Sequence, residues 1–128
     1  MERMSRGPVV LALVAAAAAL AIAAGAGAAG GDPIGRFPAG WSHAEINVTQ
    51  NGVSHTLIYD RGRVQSVSPA VVVLKEVDGS VVSVPVSATT DVRVNGIPAT
   101  LAQVKRRFQA TTLRVDGGAA TQLRAFRP

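Results

Sequence analysis

In a sequence without cysteine, His43 and His55 are the side chains best suited to acid–base or metal chemistry. The missing thiols exclude a cysteine nucleophile, a C-x-x-C redox pair, a disulfide scaffold and a Cys-ligated zinc site. His43 and Asp60 face each other if the chain turns back at Asn51-Gly52 through a two-residue hairpin. A carboxylate can orient an imidazole, and Ser42 or Ser54 would complete a Ser-His-Asp hydrolytic set. No G-x-S-x-G elbow accompanies these residues. A polar cross-strand pair is therefore the stronger reading, and a hydrolase built on His43 and Asp60 ranks last among the functions considered. In the same register His55 projects from the other, apolar face of the hairpin. It has no further His, Asp or Glu at ligand spacing, which predicts a structural histidine and no metal. Asp78 and Asp91 lack the spaced oxygen ligands of a calcium loop. Asn51-Gly52, Asn95-Gly96 and Gly117-Gly118 read as turns and not as phosphate cradles, since none opens a helix in a G-x-G-x-x-G frame. No catalytic residue and no cofactor follow from the sequence.

Binding is the more promising class. Lys105-Arg106-Arg107 is the densest basic run, and Arg114, Arg124 and Arg127 join it if the last hairpin packs beside it. Such a surface suits an anionic envelope polymer or a membrane surface. Single-stranded nucleic acid is disfavoured, because that mode needs aromatic platforms among the basic residues. Only Phe108 and Phe126 lie there, both at expected core positions. Trp41, just before the first strand, is a candidate contact residue or a cap on the core.

The elements that must position these residues do not begin at Met1. Of 128 residues, 48% are apolar, but the apolar residues are concentrated at the start. Arg3 and Arg6 precede an uncharged run over residues 9–24, followed by small residues. A basic, then apolar, then small-residue order predicts a signal peptide over residues 1–29, cleaved after Ala26 or Ala28. The alternative is an uncleaved anchor, since the uncharged stretch is long enough to span a bilayer. Either way the rest of the chain is expected outside the cytoplasm. The net charge of +5 falls only slightly when those residues are removed. Eleven arginines against two lysines, with heavy Ala, Gly and Val usage, suggest a high-GC bacterial source.

Residues 30–40, rich in Gly and Pro, read as a spacer. Residues 41–128 carry apolar residues at a period near two, with frequent turn signals, which is an all-β pattern. The Asn51-Gly52 hairpin places Ala44, Ile46, Val48, His55, Leu57 and Tyr59 on one face. A separate strand is expected over residues 63–67. A two-residue turn at Asp78-Gly79 would put Val71, Val73, Lys75 and Val77 on one face with Val82, Val84 and Val86, the other face being apolar enough for cover on both sides, and Pro85 marks an edge or a bulge. Val92 and Val94 point inward. Thr100 and Gln103 have the form of a capping box, predicting a short helix over residues 101–107. In the last hairpin a three-residue loop at 117–119 would set Leu113 opposite Leu123 and so keep apolar residues together. About seven short strands and one helix in so few residues are best accommodated by a small, partly open β-barrel.

The run Tyr59-Asp60-Arg61-Gly62-Arg63-Val64-Gln65-Ser66-Val67-Ser68, then Asp78-Gly79, Val92-Arg93-Val94-Asn95-Gly96 and Pro98-Ala99-Thr100-Leu101-Ala102, resembles a family of small secreted bacterial domains of unknown function. The resemblance covers residues 60–126. It implies an OB-like β-barrel outside the cytoplasm and assigns no catalytic residue. The function expected is a non-enzymatic structural or interaction module of the cell envelope. A barrel holding a small ligand in its mouth is the alternative.

Overall fold

The computed structural model describes residues 37–128, so the predicted signal peptide and most of the spacer lie outside the described residues. The compact unit runs over Pro38–Pro128. It is all-β: β1 His43–Gln50, β2 Val53–Val67, β3 Val71–Glu76, β4 Val81–Pro85, β5 Asp91–Val94, β6 Ile97–Pro98, β7 Gln109–Val115 and β8 Ala120–Phe126. These form one eight-stranded sheet in the order β4-β3-β2-β7-β8-β5-β6, with β1 paired to β2. The sheet curls into a small, partly open barrel. Every pairing is antiparallel except β5 with β8, which run parallel.

The first hairpin forms in the register that Asn51-Gly52 dictates, with His43 opposite Asp60 and Val48 opposite His55. Asn51 and Gly52 both take positive φ, as a type I′ turn requires. The strand that follows departs from expectation. β2 is a single 15-residue strand, not a hairpin arm plus a separate strand over residues 63–67. It pairs with β1 along its first half, with β3 along its second, and with β7 across the middle.

The second hairpin shifts by one residue from the expected register. Its loop is Val77, Asp78 and Gly79, closed by the amide of Glu76 donating to the carbonyl of Ser80, with Gly79 at positive φ. A one-residue slip exchanges the faces of a strand. Val72, Leu74 and Glu76 therefore point inward opposite Val84 and Val82, while Val71, Val73 and Lys75 point outward. Pro85 stands on the sheet's terminal strand, the edge placement that its missing N–H demands.

The helix expected over residues 101–107 is a single 3-10 turn, Leu101–Gln103. The Gln103 side chain does accept from the Thr100 amide. Arg107 then adopts positive φ, and its amide donates to the carbonyl of Val64. The chain is drawn into pairing with β2 before a second helical turn can form. Leu101, Val104 and Phe108 still pack on the core.

In the last hairpin Leu113 sits opposite Gln122, not Leu123, with a bulge between Leu113 and Arg114. The reason is that the sheet buries both faces here. One core gathers Val64, Val72, Leu74, Val84, Val92, Val94, Ala110, Leu123 and Ala125. Strand alternation places Leu57, Tyr59, Leu113 and Val115 on the opposite face, where they too are buried. Keeping all apolar residues on one face was the wrong criterion for this register. Phe126, expected in the core, is exposed, because its neighbour Ala125 takes the inward position.

Candidate functional site

At the margin of the core, at the end of the β1–β2 hairpin far from its turn, three titratable side chains from three strands converge. His43 comes from β1, Asp60 from β2 and Glu76 from β3, and one potential ligand atom from each lies within 4.8 Å of the others. Asp60 and Glu76 occupy the inward positions next after the apolar stripes of their strands. Gly62 stands between them, directly opposite Glu76. A β-carbon on Gly62 would lie 2.6 Å from the carbonyl oxygen of Lys75. Only glycine permits this approach of β2 to β3, and its bare face leaves the Glu76 carboxyl room beside Asp60.

The electrostatics are unusual for so small a domain. Asp60 is 2% exposed and Glu76 is 8% exposed. His43 Nδ1 lies 2.7 Å from Asp60 Oδ1, and its Nε2 lies 3.0 Å from Glu45 Oε2. The hydrogen bond to Asp60, then that to Glu45, raises the His43 pKa above its ordinary value. When protonated, the ring donates from both nitrogens. Burial, and then the neighbouring Asp60, push the Glu76 carboxyl up to about 7. The Ser80 hydroxyl donates to Glu76 Oε1 at 3.2 Å, while Oε2 is buried without a partner. With both carboxyls ionised that oxygen stays orphaned, whereas a single proton between Glu76 and Asp60 gives it one.

This arrangement has the expected His43–Asp60 pair. Both His43 nitrogens are engaged by carboxylates, and the Ser54 hydroxyl is hydrogen-bonded to Thr49. His55 is buried and holds Asp116 from the opposite end of the hairpin, Nδ1 to Oδ2 at 2.6 Å. Asp116 also accepts from the Thr56 amide at 2.8 Å. These bonds, led by that from His55, lower the Asp116 pKa. The stabilisation is present above the ordinary carboxylate pKa and is lost as pH falls through the lowered folded value. Asp116→Asn keeps the side chain's size and its tolerance of positive φ. It should cost on the order of 1 kcal/mol near neutral pH, the modest figure reflecting a half-exposed carboxylate screened by water. Urea melts at pH 7 and pH 3 check this: the gap between the variant and the parent should narrow from pH 7 to pH 3, and an equal gap at both would refute the assignment.

The basic residues divide into two groups. Arg114 is spent on its own hairpin, donating to the carbonyls of Gly117 and Gly118. Arg124 donates to the carbonyl of Asp91 and pairs with its carboxylate at 3.1 Å. Lys105, Arg106 and Arg107 are exposed, in the loop leading into β7, and no hydrogen bond or ion pair ties their side chains to other described residues. The sequence reading overlooked two neighbours of this loop. Arg63 and Lys75 lie directly opposite each other on β2 and β3, both exposed. Trp41 is 9% exposed and lies under Arg61, whose guanidinium carbon is 4.7 Å from the ring centroid. Arg61 also donates to the carbonyls of Trp41 and Ala39. Trp41 therefore caps the start of the domain and is not presented as a contact residue.

Glu76 and Glu45 were absent from the sequence-derived candidates. Glu45, two residues from His43 on a strand, was legible from alternation alone. Glu76 was hidden by the one-residue error in the second hairpin. Comparison with family models, with curated proteins and with solved structures finds no match for this chain.

Proposed function

We propose that this chain is a non-enzymatic module of the bacterial cell envelope, acting outside the cytoplasm, that docks on a phosphate-bearing anionic surface. The observation that carries this reading is the pair Arg63 and Lys75. They are like charges set directly opposite on the outward face of adjacent strands, an arrangement that costs stability unless an anion sits between them. Lys105, Arg106 and Arg107 are carried beside the pair, because the amide of Arg107 is bonded to the carbonyl of Val64, next to Arg63. The basic, apolar, small-residue order of residues 1–29 supports placement outside the cytoplasm. The resemblance of residues 60–126 to small secreted domains agrees with it.

The test is retention of the full chain on immobilised polyphosphate across a salt gradient. Electrostatic retention should fall steeply with ionic strength. Replacing Lys105, Arg106 and Arg107 by alanine, together with Arg63→Ala, should cut the eluting salt concentration by roughly half. Arg114→Ala and Arg124→Ala should elute with the parent, since those side chains serve the fold. Elution unchanged by the quadruple variant would remove this surface from consideration.

A further inference from the structure

We infer that His43, Asp60 and Glu76 form a binding site for a first-row divalent transition cation such as Zn²⁺ or Mn²⁺. The inference goes beyond the anionic-surface reading and does not depend on it. Its first support is convergence. One imidazole nitrogen and two carboxylate oxygens, from three strands, already lie within 4.8 Å of one another. A cation with bonds of about 2.1 Å holds its donors roughly 3 to 3.4 Å apart. The strands are fixed by the β1–β2 and β2–β3 ladders, so side-chain rotation must open the 2.7 Å His43–Asp60 pair slightly and bring the Glu76 carboxylate in.

The second support is independent of the clustering. Glu76 is more than nine-tenths buried, and its Oε2 has no hydrogen-bond partner. Buried polar atoms in folded proteins are nearly always satisfied, so the orphan calls for a partner: a proton shared with Asp60, or a cation in that proton's place. The other oxygen, Oε1, is held by the Ser80 hydroxyl, which fixes the carboxylate and leaves Oε2 as the open donor. A cation bound by both carboxylates would satisfy it and would cancel the charge of two buried acids.

The surroundings are those of an oriented ligand set. Metal-bound histidines usually donate their second ring N–H to a carboxylate or carbonyl, which fixes the tautomer. Here Nδ1 faces Asp60 and Nε2 is already on Glu45 at 3.0 Å. Nδ1 would bind the ion, and Glu45 would hold the ring from outside. The His43 side chain is 44% exposed against 3% for Asp60, so the site opens to solvent on one side. Entry and water ligands both come from there. The imidazole nitrogen selects against magnesium and calcium, which prefer oxygen-only sets, and the absence of sulfur selects against the softest ions.

The full chain, stripped with a chelator and then dialysed free of it, should take up one Zn²⁺ per chain in a calorimetric titration. Zn²⁺ should also raise its melting temperature. Co²⁺ in its place should give a visible d–d absorption band. Glu76→Gln and His43→Gln should each weaken Zn²⁺ binding at least a hundredfold, and Glu45→Gln about tenfold, as loss of an outer partner does. His43→Gln lies at the exposed end of the site and keeps the test open if a buried variant fails to fold. His55→Gln should bind as the parent does. Absence of saturable uptake would overturn the assignment. So would uptake unchanged in both Glu76→Gln and His43→Gln, which would place the ion elsewhere on the chain.

Discussion

Gly62→Ala is expected to destabilise the domain by about 3 kcal/mol, the upper part of the range for forcing an added carbon into a packed site. The added β-carbon would meet the Lys75 carbonyl oxygen at 2.6 Å, its carbonyl carbon at 2.9 Å and Glu76 Cα at 3.2 Å. All three are backbone atoms, so no rotamer change relieves the overlap. Gly62 is also pinned from both sides, opposite Glu76 on β3 and Ala110 on β7. β2 and β3 must separate, and the Glu76 carboxyl must move with its strand. An exposed Gly→Ala change would instead stabilise by restricting the unfolded chain, by about 0.4 to 1 kcal/mol. The two effects have opposite signs, and a backbone overlap this close outweighs the second. For a domain of this size the expected loss corresponds to a fall in melting temperature of roughly 15 °C. A melt within two degrees of the parent would show that the strands can separate freely, and with that the close approach would lose its role in shaping the site.

The same strands show what the sequence discloses and what it conceals. Asn51-Gly52 specifies its turn chemically, because few residue pairs adopt two consecutive positive φ values. From that one turn the whole β1–β2 register follows, including His43 opposite Asp60. Asp78-Gly79 looks equivalent and is not. There Gly79 alone takes positive φ, and Val77 joins the loop. Asp78 accepts from the Ser80 amide, a local bond that favours the longer turn and that the dipeptide alone does not announce. The resulting shift of one residue decided the visibility of Glu76. In the shorter loop it belongs to the face away from Val84; in the actual one it points toward Asp60. The last hairpin failed for a different reason. Leu113 and Leu123 are both buried, but on opposite faces, and a hydrophobic pattern reports burial without saying on which side of the sheet it occurs. The parallel pairing of β5 with β8 is a long-range choice that no turn or local period encodes. Pairing of Arg107 with Val64 likewise overrode the helical signal at Thr100 and Gln103, a tertiary contact outweighing local propensity.

Glu76→Met should raise the stability of the metal-free domain by about 2 to 3 kcal/mol at pH 8. The carboxyl it removes is 8% exposed and carries an oxygen without a partner. Asp60 keeps its hydrogen bond to His43, so the change strands no buried charge. The folded-state pKa of Glu76 stands at about 7 against an ordinary 4.5, chiefly through burial. Between those values the folded protein binds the proton more tightly than the unfolded chain. The protonated carboxyl's contribution is therefore fully present below pH 4.5, and is lost as pH rises toward and through 7. The parent's stability, measured by urea melts in the presence of a chelator, should decline across that window, and Glu76→Met should remove most of the decline. Its gain over the parent should be small at pH 4.5 and largest at pH 8. A pH-independent gain would point to better packing by the methionine, and a loss of stability would mean that the carboxyl is structurally satisfied in a way the orphaned oxygen denies. A stabilising substitution at a buried acid has a further consequence. Stabilising substitutions commonly carry a functional cost, and among the described residues Glu76 is the acid that combines deep burial with an unpartnered oxygen. The same position then separates two demands on one residue: Glu76→Met should give the more stable fold and, by removing a ligand, a chain that no longer takes up the cation.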